Sequence, residues 1–226
     1  MEKKKGLAIL GGSFNPPHFG HLRLAFEISE NFSELVSQVL IVPCARPPHK
    51  SAWQMLPFDL RILMLEMSLK DYPHIEVSRL EGEREGLSYT WETLLECQKR
   101  YLGWQIYFVM GIDDYVQVAD WYRGLELPKL CQLIIVSRGT TSFADFCAAT
   151  KVLWPSSVPS LDGEKFCFLP GESRSYFLDI PWLNISSTML RDRWRRGLSL
   201  DFLVPDVVVK LLKSHHKEVK EAWREC

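Results

Sequence analysis

The sequence predicts an α/β protein with a doubly wound, mainly parallel sheet. Short apolar, partly β-branched runs alternate along the chain with segments that have helical spacing. Such alternation implies parallel strands joined by right-handed crossovers. The length of 226 residues suits one domain. We therefore expect a single domain over residues 1–226, with a C-terminal helical part at about 187–213 and a charged tail at 214–226 that forms a solvated helix end.

The first elements form a predicted β-α-β unit. Leu7–Gly11 and Gln38–Val42 are apolar runs typical of buried strands, and Gly20–Asn31 between them has helical spacing. The apolar face expected for that helix carries Leu22, Ala25, Phe26 and Ser29. A second helix is predicted from Pro57 to about Lys70, because proline suits a first helical turn. Its expected apolar stripe includes Leu60, Leu63, Met64 and Met67.

The rest of the chain continues the alternation. Residues 139–163, rich in Ser, Thr, Ala and Pro, are interpreted as a helix plus a loop. The further predicted strands are Ile75–Arg79, Gln105–Met110, Leu133–Ser137, Phe166–Leu169 and Tyr176–Ile180. The further predicted helices are Thr90–Arg100, Ser187–Arg196 and Pro205–Lys213.

Composition excludes several classes of protein. Lys plus Arg number 27 against 28 Asp plus Glu, which gives no overall electrostatic argument for a nucleic acid or membrane partner. The first apolar run, Leu7–Leu10, is too short for a secretory signal, and no stretch approaches a membrane span. Six cysteines are scattered without a C-x-x-C pair, so we expect reduced thiols rather than a zinc cage or disulfide framework. We expect a cytoplasmic location.

The first predicted strand runs directly into the motif GGSFNPPHFGH. Gly11 and Gly12 leave room for a ligand to approach the backbone. His18 and His21 lie three residues apart at the start of the next helix, so they can face the same side. A helix N-terminus offers N–H groups and a positive dipole end. These features together predict a phosphate-binding site, although two histidines at this spacing alone would indicate no more than a structural pair.

A second motif, NISSTMLRDRWRR, occurs near the C-terminus. Ser186, Ser187 and Thr188 are residue types that begin helices, and Arg191 lies one turn beyond Ser187. Hydroxyls, N–H groups and a guanidinium converging at a helix start favour an anion. The alternative interpretation is a plain capped basic helix.

Both motifs resemble those of a known family. The first resembles the H-x-G-H signature of the nucleotidylyltransferase superfamily, and ISSTMLR resembles the I-S-S-T-x-x-R signature of its nicotinate and nicotinamide mononucleotide branch. Smaller motifs of that branch also appear in the expected order, over about residues 7–213: PPHK at Pro47–Lys50, SYTWETL at Ser88–Leu94 and GIDDYVQVADWY at Gly111–Tyr122. The chain thus looks like a bacterial nicotinate mononucleotide adenylyltransferase.

The resemblance implies transfer of AMP from ATP to nicotinate mononucleotide, with Mg²⁺ carried by ATP and no metal ligands from the protein. His18, His21 and Arg191 are the implied catalytic residues, and Trp121 would stack on the pyridine ring. The implied ATP-binding residues are Gly11, Gly12, Ser13, Phe14, His18, His21, Ser187, Thr188 and Arg191. The implied mononucleotide-binding residues are His49, Lys50, Thr90, Asp113, Trp121 and Tyr122.

One departure from the family pattern concerns Asn15, where bacterial relatives commonly have Asp and relatives that also accept the amide substrate often have Asn. Dual or nicotinamide mononucleotide specificity is therefore an open alternative. Another adenylyltransferase of the superfamily, such as one that uses phosphopantetheine, is a further alternative. A nucleotide-binding regulatory module is the alternative outside enzymes.

Overall fold

The computed structural model describes residues 5–48, 55–137, 139, 141–161, 163–181 and 183–224. Its strands are β1 (Gly6–Gly12), β2 (Gln38–Pro43), β3 (Ile75–Val77), β4 (Gln105–Gly111), β5 (Gln132–Ser137), β6 (Val158–Pro159), β7 (Phe166–Phe168) and β8 (Arg174–Asp179). Its helices are α1 (Phe19–Asn31), α2 (Phe58–Leu69), α3 (Thr90–Arg100), α4 (Ile112–Tyr115), α5 (Phe143–Leu153), α6 (Ser187–Arg195), α7 (Asp206–Ser214) and α8 (His216–Ala222).

The chain divides into two compact units. Unit 1 comprises Met1–Leu10, Phe32–Gln38 and Tyr89–Trp182. Unit 2 comprises Gly11–Asn31, Val39–Ser88 and Leu183–Cys226.

Unit 1 contains a mainly parallel set of strands. The first five residues of β1 pair in parallel with β4, β4 pairs with β5, and β5 pairs with β8. Strands β7 and β6 continue beyond β8 in the antiparallel sense. Leu7–Ile9 and Leu133–Ile135 are fully buried, as expected for parallel strands covered on both faces.

Unit 2 combines the parallel pair β2–β3 with helices α1, α2, α6, α7 and α8. Helix α7 buries Val208, Val209 and Leu212, which share one face at helical spacing. The hydrophobic core cluster of unit 2 consists of Leu56, Leu60, Met64, Leu190, Leu200, Val204, Val208, Val209, Leu212, Val219 and Trp223.

The α/β fold with a doubly wound, mainly parallel sheet is confirmed, and every predicted strand and helix is present within a few residues of its expected bounds. The predicted buried faces of two helices need correction. In α1 the buried residues are Leu22, Ala25, Glu27 and Ile28, while Phe26 and Ser29 are half-buried. Glu27 can be buried because it binds Arg23 and Asn31 of the same helix.

Helix α2 also presents a different face to the core than its spacing predicted. Leu63 and Met67 are exposed, at 38% and 44%, whereas Arg61, Ile62 and Leu65 are buried. The reason is Arg61, whose guanidinium hydrogen-bonds to backbone carbonyls inside unit 2 and so fixes the rotation of the helix.

The charged segment after Ser214 is helical, as expected, but it is not solvated on all sides. Residues His216–Ala222 form α8, and Val219 and Trp223 are buried in the core cluster of unit 2. Their spacing of four residues places both on one helical side, and this apolar pair outweighs the charges around it.

Five cysteines in the described part of the chain are free thiols, as expected, and Cys226 lies outside the described residues. Burial raises the pKa of Cys44 to about 11, with the Glu81 carboxylate adding to the effect, so this thiol is neutral at pH 7. No described helix has both the length and the apolar composition needed to cross a membrane.

We predict that Gly6→Ala destabilises the protein, because a Cβ at Gly6 would lie 1.8 Å from the carbonyl oxygen of Leu35. The expected loss is roughly 1–3 kcal/mol in the free energy of unfolding, as for an overpacked site. Gly111→Ala is the control, since a Cβ there would meet no described atom within 4 Å beyond its chain neighbours, and φ is −70°. Urea unfolding measures both variants, and equal stability of the two would contradict the prediction.

Candidate active site

A tight turn follows β1 in unit 2 and carries the first predicted phosphate-binding residues. Phe14 in this turn is buried and has φ of 48°, a left-handed conformation that costs a non-glycine residue of order 1–3 kcal/mol. A Cβ at Gly12 would lie 3.0 Å from the Phe14 ring, so the glycine permits this ring position. Gly11 is exposed, and Ser13 is half-buried.

His18 and His21 come together at the start of α1. Their rings stack with centroids 3.6 Å apart, and the Phe14 ring meets His21 edge-on at 4.9 Å. Gly20 allows this arrangement, because a Cβ there would lie 3.0 Å from Nδ1 of His18. The predicted common orientation of the two histidines is therefore present, and His18 is 4% exposed.

The start of helix α6 lies against the same turn. Ser186 caps the helix by accepting the N–H of Met189 at 3.2 Å. The Ser187 hydroxyl donates to the carbonyl oxygen of Pro16 at 3.0 Å. Arg191 Nη1 donates to the carbonyl oxygen of Asn15 at 3.0 Å, while its Nη2 donates to the Thr188 hydroxyl at 3.1 Å. Unit 2 thus brings together both motifs, which are about 170 residues apart in sequence, as predicted.

Electrostatics at this helix start favour an anion. Burial lowers the pKa of Arg191 from its ordinary value, and the positive charge of Arg195 lowers it further, against the opposite effect of Asp192. A cation that is partly desolvated beside another cation gains from a bound anion more than a fully solvated one does. The exposed Thr188 hydroxyl lies next to this guanidinium.

Arg61 stabilises the turn through hydrogen bonds to backbone carbonyls. Its side chain is 1% exposed, and its guanidinium donates to the carbonyl oxygens of Ser13 at 2.7 Å, Cys44 at 2.9 Å and Leu56 at 3.0 Å. Burial lowers the pKa of Arg61 to about 10, so the group stays protonated at pH 7. One buried cation therefore ties the turn to the segments after β2 and before α2.

Asn15 is the other buried polar residue of the turn, at 3% exposure. Its side-chain oxygen accepts the N–H of Leu56 at 3.0 Å and the indole N–H of Trp223 at 3.3 Å. The position occupied by Asn15 therefore requires an acceptor for two N–H donors, and an amide oxygen meets that requirement.

Unit 1 carries the residues that the resemblance implied for the mononucleotide. Thr90 is the first residue of α3, and Asp113 is exposed in the short helix α4 that directly follows β4. Trp121 is half-buried with its ring 6.5 Å from that of Phe108, whereas Tyr122 is half-exposed with its ring 4.8 Å from that of Tyr89.

The segment after Trp121 and Tyr122 is held by a local network in unit 1. Arg123 has φ of 55°, lies over the Trp91 ring at 3.9 Å and makes two hydrogen bonds to Glu126. Those bonds and one from Lys129 lower the pKa of Glu126 to about 2. A Cβ at Gly124 would lie 1.8 Å from the carbonyl oxygen of Val118, so this turn accepts no larger residue without a shift.

The predicted residues thus fall into two groups. The nine ATP-binding candidates all belong to unit 2, and Thr90, Asp113, Trp121 and Tyr122 belong to unit 1. His49 and Lys50 lie outside the described residues. Sequence reasoning missed Arg61, although a charged residue within an apolar helix was a usable signal.

Comparison with known proteins identifies the family of the chain. The model of the cytidylyltransferase-like family matches residues 9–193, which include both motifs. The chain belongs to this family.

Relatives in the family narrow the assignment. A protein from Geobacter sulfurreducens, named as a probable nicotinate-nucleotide adenylyltransferase, is 33% identical over 90% of this chain and 94% of its own. A protein of the same name from Hahella chejuensis is 32% identical over 95% and 96%. The chain therefore belongs with the nicotinate-nucleotide adenylyltransferases of this family, as the motifs predicted.

A solved structure supports the fold independently. The nicotinic acid mononucleotide adenylyltransferase of Plasmodium falciparum, complexed with NaAD, superimposes with a TM-score of 0.72 and covers 95% of this chain and 97% of its own. At 19% identity this likeness bears on the fold and not on individual residues.

We predict that Arg61→Met destabilises the protein by roughly 2–5 kcal/mol, because each buried acceptor left unsatisfied costs about 1–3 kcal/mol. Arg79→Met is the matched control, since Arg79 pairs with Asp59 at an exposed position and such pairs contribute about 0–1 kcal/mol. Denaturant unfolding compares the two variants. An Arg61→Met protein as stable as the wild type would show that the three carbonyl contacts do not hold the turn.

Proposed function

We propose that the chain transfers AMP from ATP to nicotinate mononucleotide, giving nicotinate adenine dinucleotide and pyrophosphate. The observation that carries the proposal is the turn of unit 2, where the His18 and His21 rings stack and the α6 residues Ser187 and Arg191 donate to the carbonyl oxygens of Pro16 and Asn15. Paired imidazoles, a guanidinium and a helix start suit a polyphosphate. Similarity to the nicotinate-nucleotide adenylyltransferases supports this particular reaction.

The reaction is an in-line attack of a mononucleotide phosphate oxygen on the α-phosphorus of ATP, with pyrophosphate leaving. The nucleophile is already an anion, so the protein needs neither a nucleophile of its own nor a strong general base. Its role is to position the phosphates and to neutralise charge that develops on the leaving group. An imidazolium donates from both ring nitrogens, and a neighbouring phosphate favours that form for His18 and His21.

We assign the ATP phosphates to the unit 2 residues. In this proposal His18 and His21 contact the phosphates around the reacting phosphorus, and Ser187, Thr188 and Arg191 bind the outer phosphates. Gly11, Gly12, Ser13 and Phe14 line the nucleotide site. Arg191 hydrogen-bonds to a turn carbonyl through Nη1, so its remaining N–H groups are oriented before any ligand arrives. The single hydroxyl hydrogen of Ser187 is used by the carbonyl of Pro16, so Ser187 would bind phosphate through the backbone N–H at the start of α6.

A divalent cation is expected as part of the nucleotide substrate, and we propose Mg²⁺. Among the described residues, no group of three or more His, Cys, Asp or Glu side chains is placed to hold a metal ion. A triphosphate supplies its own oxygen ligands, and Mg²⁺ prefers phosphate oxygens and water to all-protein cages. We therefore expect activity to stop when EDTA is present in excess and to return with added Mg²⁺.

We assign the mononucleotide to residues of unit 1, together with His49 and Lys50. Trp121 would stack on the pyridine ring, with Asp113 and Tyr122 helping to place the nucleotide. The first N–H groups of α3, at Thr90 and Trp91, precede the first intrahelical hydrogen bonds, which Glu92 and Thr93 make to Tyr89. Such N–H groups are suited to a carboxylate.

We predict that His18→Ala and His21→Ala each lower kcat by about 10²–10³-fold, the cost of losing one preorganised donor to developing charge. Both variants should remain folded, as measured by circular dichroism. His74→Ala is the control because His74 is exposed outside the turn. Near-normal turnover in both the His18→Ala and the His21→Ala protein would contradict the assignment of these histidines to the phosphates of ATP.

We predict that Arg191→Ala raises KM for ATP more than KM for the mononucleotide, because Arg191 lies at the helix start assigned to the outer phosphates. Loss of a charge-assisted hydrogen bond of about 1.5–3 kcal/mol corresponds to roughly 10- to 150-fold. Arg196→Ala, an exposed arginine at the end of the same helix, is the matched control. A rise confined to KM for the mononucleotide would indicate that Arg191 binds the mononucleotide and not ATP.

We predict that nicotinate mononucleotide is preferred over nicotinamide mononucleotide by about 10- to 150-fold in kcat/KM. The pyridinium of both substrates stacks equally well on Trp121, so the ring substituent must discriminate. Both oxygens of a carboxylate accept hydrogen bonds from the N–H groups at the start of α3. An amide has only one oxygen, and its NH₂ group cannot accept a hydrogen bond, so one N–H donor is left unpaired.

A pyrophosphate-release assay with ATP and a panel of acceptors tests the function and this preference together. The panel is nicotinate mononucleotide, nicotinamide mononucleotide and phosphopantetheine. A ratio near one for the first two would indicate dual specificity, and preference for the third would indicate a different adenylyltransferase. Nucleotide binding without pyrophosphate release would indicate a regulatory module.

A further inference from the structure

A tryptophan at the end of helix α8 contacts the turn that carries the proposed phosphate-binding residues. Trp223 follows α8, is 2% exposed and donates its indole N–H to the side-chain oxygen of Asn15 at 3.3 Å. The two residues are 208 positions apart, and both belong to unit 2.

Asn15 connects this contact to the proposed ATP site. Its side-chain oxygen also accepts the N–H of Leu56, and its backbone carbonyl accepts Nη1 of Arg191. Arg61 also donates to the carbonyl oxygens of Ser13 and Leu56. Asn15 therefore accepts hydrogen bonds from Leu56, which precedes α2, from Arg191 of α6 and from Trp223 after α8.

The packing of Trp223 restricts where its N–H can point. The ring lies in the core cluster with Val219 and Leu190, and it meets the Trp194 ring at 6.0 Å and 87°. Trp194 is three residues beyond Arg191 on α6, so the indole also contacts the helix that supplies the guanidinium. A buried indole N–H needs an acceptor, and here Asn15 is that acceptor.

We propose that Trp223 is a positioning residue for adenylyl transfer, acting through Asn15 on the turn Ser13–His18. It touches neither the nucleotide nor the reacting atoms in this proposal. Its N–H fixes the Asn15 side chain, and Asn15 then presents its backbone carbonyl to Arg191 and holds the turn beside His18. The inference rests on the proposed assignment of these residues to ATP.

Two replacements at position 223 test the hydrogen bond. Trp223→Phe removes the N–H but shrinks the ring, whereas 3-benzothienylalanine at 223 keeps the bicyclic shape and has sulfur in place of the N–H. We expect each to lower kcat/KM for ATP by roughly 2- to 12-fold, the effect of one neutral hydrogen bond, while KM for nicotinate mononucleotide stays unchanged.

Val219→Ala is the matched control for packing, because Val219 is on α8 in the same cluster and its side chain carries no hydrogen-bonding group. Activity is measured well below the melting temperature of each variant. We expect Val219→Ala to lower thermal stability without lowering kcat/KM for ATP. If Val219→Ala and the benzothienylalanine protein lose the same activity, packing explains the effect and the inference is overturned.

A double-mutant cycle separates positioning through Asn15 from any other role. In an Asn15→Ala background we expect Trp223→Phe to have little further effect, because the bond is already absent. In an Asn15→Asp background the effect should persist, since a carboxylate also accepts the N–H. Equal losses in all three backgrounds would overturn the inference. An inactive wild-type protein would instead reject the proposed function.

Discussion

The candidate site depends on how the carbonyl oxygens of one turn are satisfied. Ser13 O accepts Arg61, Asn15 O accepts Arg191, and Pro16 O accepts the Ser187 hydroxyl. Carbonyl oxygens that faced a polyphosphate would repel it. Because donors from α2 and α6 cover them, the turn can keep a conformation strained at Phe14 and leave its positive groups for an anion.

This arrangement suits a reaction that needs positioning more than acid–base chemistry. The same Arg191 that holds the turn is a donor assigned to phosphate, so its orientation is established by the fold and requires no rearrangement of a long side chain. Arg61 contributes differently, because it is buried and its Nε and Nη1 donate to the carbonyl oxygens of Leu56, Ser13 and Cys44. One arginine therefore supports the site and the other is available to a ligand.

The sequence predicted the elements well because hydrophobic period and strand-end motifs are local signals. It predicted the common orientation of His18 and His21 from their spacing, and the convergence of the two motifs from the resemblance. It did not predict which side of α2 is buried, because Arg61 interrupts the apolar period and its partners are distant in sequence. It also treated the tail as solvated, since the charges there outnumber the apolar pair Val219–Trp223.

The same long-range contacts explain how Asn15 fits a buried position. The side-chain oxygen at position 15 accepts two N–H groups in a buried site. A carboxylate would form stronger hydrogen bonds there but would place a negative charge at high desolvation cost beside residues assigned to phosphate. The amide oxygen of Asn15 accepts hydrogen bonds from the same two N–H groups without adding a charge. Asn15 therefore bears on the architecture of the phosphate turn, and in the proposed function the choice between carboxylate and amide substrates falls to the N–H groups at the start of α3 in unit 1.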